Sequence, residues 1–169
     1  MRKFPHRMLG ALAFVLGAQF VATSSMAAGY DDHEALAGVK EVKVAFDITT
    51  GDAKALLGRL KIIEETRRSL IAQGVTPHFL LAFRGPATKL IQTDESKIKP
   101  ADRPVAKQIA AELKEMSKAP GVVGLQQCSV AVREQHTDPM KVDPGVKVIG
   151  NAWISLMAYE NRGYAYIAP

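Results

Sequence analysis

The chain holds one cysteine, Cys128, in the stretch GVVGLQQCSVAV, residues 121–132. A single thiol cannot close an internal disulfide, so it is a buried small hydrophobe, a link between chains or a reactive group. Its setting bears on the choice. The apolar run Val122–Gln127 reads as a short strand, and SVAVREQHT, from Ser129, reads as a short helix. A cysteine between them sits at a strand's carboxyl end and a helix's amino end. Backbone N–H groups and the helix dipole there favour a thiolate, the nucleophilic form. His136, eight residues on, is a candidate base or proton shuttle for that sulfur, against the plainer reading of a solvated loop residue. Arg84, at the end of another apolar run, could steer an anionic sulfur compound or form a surface ion pair. Gly51 and Asp52 suit an anion at a helix start, although turn and capping chemistry account for them as well. Asp31, Asp32 and His33 are metal-ligating types, but adjacent residues make a poor cage. No zinc spacing, phosphate loop or Ser-His-Asp order is present, so no cofactor or metal is expected.

The elements that must position Cys128 follow from periodicity. VKVAFDIT, Val42 to Thr49, alternates as a mostly buried strand. Gly51 turns the chain and Asp52 caps a helix expected over Ala53–Gln73, with Leu56, Leu57, Leu60, Ile63, Leu70 and Ile71 on its apolar side. Lys61, Glu64, Glu65, Arg67 and Arg68 fall mostly on other faces. Val75–Gly85 has a continuous apolar middle, as in a strand buried on both faces. A short helix in PATKLIQ and a polar loop, TDESKIKPADRP, lead to a second long helix marked by Val105, Ile109, Leu113 and Met116. After the Cys128 segment, Val146–Gly150 is a fourth strand. Asn151 caps a helix expected through Arg162, and YAYIA is the final strand. Tyr159, Tyr164, Tyr166 and Trp153 are read as core and subunit packing. Alternating strands and helices, with no hairpin-length links, argue a three-layer α/β sandwich. Its sheet is mainly parallel and five-stranded, with helices on both faces.

The 169 residues, 47% of them apolar, suffice for one domain with a substantial core. The start is different. Arg2, Lys3 and Arg7 precede an uncharged apolar run, Met8 to Ala22, and then small residues at Ser25 and Ala27. That pattern describes a secretory signal peptide over residues 1–27, cleaved after Ala27 or Ala28. The apolar run is shorter than the ~20 residues of a membrane span. The expected organisation is thus 1–27 leader, 28–40 flexible segment and 41–169 domain, with the product periplasmic or secreted and free of the membrane. The chain's net charge of +5 comes from 22 basic and 17 acidic residues. Without the three basic residues of the leader, 19 face 17, and the net is +2. No basic run interleaved with aromatics remains to argue for nucleic acid.

From Val42 to Pro169 the sequence resembles the DsrE/DsrF-like family, with the YchN-like fold. The resemblance rests on VKVAFDITTGDAKALLGRLK, on the cysteine after the third long strand, and on GVKVIGNAWISLMAYENRGYAYIAP with its closing GYAYIAP. It implies a compact α/β subunit assembling into trimers or hexamers. It also implies a sulfur carrier whose cysteine, here Cys128, takes a sulfane sulfur as a persulfide. A protein or small thiol would supply and accept that sulfur. The chain departs from the family in its export leader and in SVAVREQHTD after the cysteine. With no second cysteine, exchange needs a sulfur from outside the chain. Two function classes stand: a sulfur carrier, and a non-catalytic oligomeric binding or assembly module with a structural cysteine. A redox-sensing thiol is a third, which predicts rapid alkylation of Cys128.

Overall fold

The computed structural model describes residues 31–169; the expected leader lies outside the described residues. Five strands form one sheet: β1 Glu41–Ile48, β2 Thr76–Phe83, β3 Val122–Cys128, β4 Val146–Ile149 and β5 Ala165–Ile167. Their order is β4-β3-β2-β1-β5, and every pair is parallel. Four α-helices connect them: α1 Ala53–Ala72, α2 Arg103–Met116, α3 Ser129–Glu134 and α4 Ala152–Glu160. The fold is an α/β sandwich. No helix among the described residues is long and apolar enough to cross a membrane.

Strand alternation sorts the sheet into two unlike faces. Val44, Phe46 and Ile48 of β1, with Phe79, Leu81 and Phe83 of β2, pack against Leu56, Leu60 and Ile63 of α1 and Ile109, Leu113 and Met116 of α2. Phe46 and Phe79 meet edge to face, with ring centroids 5.1 Å apart. Burying each such side chain contributes roughly 1.5–3 kcal/mol. The other face carries Ala45, Leu80, Ala82 and Cys128, covered by Ala131 of α3 and by Ala152 and Leu156 of α4. Small strand residues there let the two short helices lie close to the sheet.

The caps expected for two helices are in place. Asp52 Oδ1 accepts from Ala55 N–H at 2.8 Å and Asn151 Oδ1 from Trp153 N–H at 2.9 Å. Helix α4 ends at Glu160, two residues short of Arg162, because residues 161–163 turn through Gly163 at φ 83°. Two charges on α1 are not solvated as the helical pattern suggested. Glu64 and Arg67 are both buried, because they satisfy one another. Arg67 donates to both Glu64 oxygens at 2.7 Å and, from Nη1, to Pro120 O at 2.8 Å. The pairing holds Glu64 below the usual carboxylate range. Residues 33–38 form turns, and Leu36 and Val39 rest against the core.

Candidate functional site

Register builds the site at the carboxyl edge of the sheet. Phe83 of β2 pairs with Gln127 of β3, so the next residues, Arg84 just past β2 and Cys128 at the end of β3, come at the same edge of the sheet. Arg84 shares the α4 face with Ala82, and Ala82 pairs with Asp47 of β1. On the other side of β1, Tyr166 of β5 pairs with Ala45, one step below Asp47 on the same face. Asp47 therefore lies between an arginine and a tyrosine. Arg84 donates to it twice, Nε to Oδ1 and Nη2 to Oδ2, both at 2.6 Å; the Tyr166 hydroxyl donates to Oδ2, also at 2.6 Å. Asp47 is 2% exposed. A buried carboxylate is tolerated when its lone pairs are filled in this way. The Asp47 bond pushes the Arg84 guanidinium and the Tyr166 hydroxyl above their ordinary values, so both keep their protons.

Cys128 occupies the last position of β3 and the residue before α3, as the sequence pattern requires. It is 4% exposed and packs with Ala82, Ala131, Ala152 and Leu156. Its Sγ nevertheless has a polar partner: the Ala152 N–H, at the start of α4, donates to it at 3.3 Å. The first N–H groups of a helix have no partner within the helix, so the sulfur takes one that would otherwise be orphaned. The same sulfur-bearing residue helps to line a cavity of about 180 Å³, with Arg84, Gly85, Val130, Glu134, Asn151 and Trp153 among its walls. Arg84 spans one side, its guanidinium carbon 5.7 Å from the centre of the Trp153 ring, within cation–π range. Gly85 makes the bend at φ 54°, a conformation that side chains resist. Ser129 Oγ donates to Gly150 O at 2.6 Å and ties the α3 start to the β4–α4 turn. The cavity thus offers a sulfur with one N–H aimed at it, a guanidinium, an amide side chain and one carboxylate.

The candidates named from sequence fare differently. Arg84 and Cys128 come together in one cavity. His136 is exposed beyond the end of α3, at φ 52°, and is not among the residues that line it. Gly51 and Asp52 lie in the β1–α1 turn and line no part of the Cys128 cavity. Trp153 and Tyr166 stand outside the core of the single chain, at 62% and 46% exposure, while Tyr159 and Tyr164 meet each other edge to face and lie half-buried against the α4 cluster. The residue that sequence reading passed over is Asp47. Its signal was available: a carboxylate inside VKVAFDIT needs a buried partner, and Arg84 is the cation at the next strand's end.

No family model matches the chain. An uncharacterized protein of Aquifex aeolicus (strain VF5) is 26% identical over 126 residues, covering 75% of this chain and 55% of that one. The chain spans about half the length of that curated relative. Among solved structures, the protein of unknown function MTH1491 from Methanobacterium thermoautotrophicum superposes with a TM-score of 0.57. The match covers 77% of this chain and 99% of that one at 18% identity. That likeness extends the α/β fold to a second protein and carries no activity with it.

Proposed function

We propose that the chain is an exported sulfur carrier of the DsrE/DsrF-like kind, with Cys128 as the residue that bears the sulfur. In the loading step the Cys128 thiolate attacks the outer sulfur of a donor persulfide, R–S–SH. A Cys128 S–S bond forms, the donor's S–S bond breaks, and R–S⁻ leaves with the electron pair while the hydrogen stays on the transferred sulfur. In the unloading step an acceptor thiolate attacks that same outer sulfur and the Cys128 thiolate is released. Neither step changes the net oxidation state, and each needs one external thiol. The observation that supports this most is the Ala152 N–H directed at Sγ inside a cavity, since an N–H donor stabilises negative charge on sulfur in both resting and departing forms. Arg84 Nη1 takes no part in the Asp47 pair and is the group assigned to an anionic donor or to the outer sulfur.

The test is intact-mass spectrometry after incubation with a small-molecule persulfide. The carrier gains about 32 Da, one sulfur atom, reversed by a thiol, and Cys128→Ser gains nothing under the same conditions. A wild-type chain that gains no mass while a model thiol does ends this reading. One observation favours the other class: the sulfur's apolar surroundings and its 4% exposure suit a structural cysteine in an assembly module. On that reading Cys128→Ser leaves the assembly unchanged and only lowers stability.

A further inference from the structure

The carboxyl edge of the sheet holds a second cavity, of about 260 Å³, on the other side of the Gly85–Pro86 turn; Gly85 lines the Cys128 cavity and Pro86 lines this one. Its walls carry Lys89, Lys97 and Lys99 against a single carboxylate, Asp102. None of the three lysines has an ion-pair partner among the described residues. The acidic residues of the same loop are engaged elsewhere: Asp94 meets Lys141 and Glu95 meets Lys107, each at 3.4 Å. Nor are these lysines on a free strand of chain. Ile98, between Lys97 and Lys99, is buried in the core, and so is Leu90, next to Lys89. The rest of the lining is Gly51, Pro86, Leu90 and Ile98. Gly51 packs so closely on Pro86 that a Cβ there would lie 2.6 Å from Pro86 Cβ, which fixes the turn between the two wall residues.

Three lysines lining one cavity, with no ion-pair partner of their own among the described residues, place like charges on one small surface, and a bound anion relieves their mutual repulsion. Against Asp102 they leave two positive charges, which a dianion matches. We propose that this cavity is a binding site for a doubly charged oxyanion group of the phosphate or sulfate class, held by Lys89, Lys97 and Lys99. The site is separate from Cys128 and does not depend on the sulfur-carrier reading.

The full-length chain, titrated calorimetrically at constant ionic strength, tests it in three arms: inorganic phosphate, inorganic sulfate and a phosphomonoester such as glycerol phosphate. Saturable binding in the inorganic arms identifies a free anion as the ligand; binding of the phosphomonoester alone identifies a phosphoryl group on a larger molecule. Either result supports the site if Lys97→Gln/Lys99→Gln weakens it by about tenfold or more, the loss expected from removing charge-assisted hydrogen bonds. Lys89→Gln does the same by itself. Lys114→Gln on α2 and Cys128→Ser leave it intact. Three results overturn the proposal: no saturable binding in any arm, an equal effect from chloride at the same ionic strength, or lysine-dependent binding of polyglutamate without binding of phosphate or sulfate.

Discussion

Asp47 is the residue on which the site's geometry turns. It fixes Arg84 by two hydrogen bonds and Tyr166 by one, and Arg84 in turn spans the cavity toward Trp153. Removing one partner of a buried ion pair strands the other charge, which costs about 3–5 kcal/mol, whereas removing both costs far less. Arg84→Gln is therefore expected to lower the unfolding free energy by that order, read from urea denaturation, and Asp47→Asn/Arg84→Gln to regain much of the loss. A double variant as unstable as the two singles summed would show that the pair acts through something other than charge. The same network makes a prediction for loading. Arg84→Lys keeps a positive charge but cannot make the two-pronged contact to Asp47 and has no second guanidinium nitrogen left over for the cavity. Persulfide transfer to Cys128 should slow several-fold while the thiol's total count stays at one, read by mass spectrometry at timed intervals.

At the scale of elements, the link from β3 to β4 contains the fold's least comfortable carboxyl. Residues 139–141 form a 3-10 turn, Val142 bridges to Gln92, and Asp143 N–H donates to Ile91 O at 3.0 Å. These bonds hold the Asp143 side chain inside, 3% exposed, with Oδ2 lacking a partner among the described residues. Burial pushes its carboxyl up to about 6 from an ordinary 3.8. The folded chain therefore holds this proton more tightly than the unfolded chain. The contribution is fully stabilising below about pH 4 and is lost as pH rises toward 6, leaving the protein about 3 kcal/mol less stable near pH 7 than it would otherwise be. Asp143→Asn should raise the denaturation midpoint at pH 7.5 and change it little at pH 4. Glu64, Glu41 and Asp94 titrate in the opposite sense, so the comparison must be wild type against variant at each pH. Equal midpoints for the two chains at pH 7.5 would contradict the burial argument. Asp143 also shows where sequence reading stopped. Its stretch, DPMKVDPG, has every mark of a polar turn, and only the packing of residues 85–91 beneath it makes one of those aspartates a buried group. The strands, the caps at Asp52 and Asn151 and the strand-end position of Cys128 were legible because each depends on neighbours a few residues away. The Asp47–Arg84–Tyr166 contact spans 119 residues between its furthest members and needs the register of three strands, which no local pattern contains.

For the molecule as a whole, α4 is the element out of place in a single chain. Its inner side, Ala152 and Leu156, covers the sheet next to Cys128, while Trp153, Ile154 and Met157 remain more than half exposed. No charged residue appears on it before Glu160. A helix apolar on every side belongs inside a larger body. The resemblance to the DsrE/DsrF-like family implies one reading of that body, a trimer or hexamer of identical subunits. Trp153 then has two duties, since it also walls the cavity at Cys128, and a neighbouring copy seated on α4 would border the path by which a thiol reaches the sulfur. The chain is expected to sediment at a multiple of its single-subunit mass at tens of micromolar. Ile154→Glu/Met157→Glu should reduce it to a single subunit with an unchanged circular dichroism spectrum, because neither side chain is part of the core. Alkylation of Cys128 should then run faster in the dissociated variant than in the assembly. A wild-type chain that sediments as one subunit throughout that range would leave the apolar side of α4 without the covering that its composition demands, and would remove the assembly from the account.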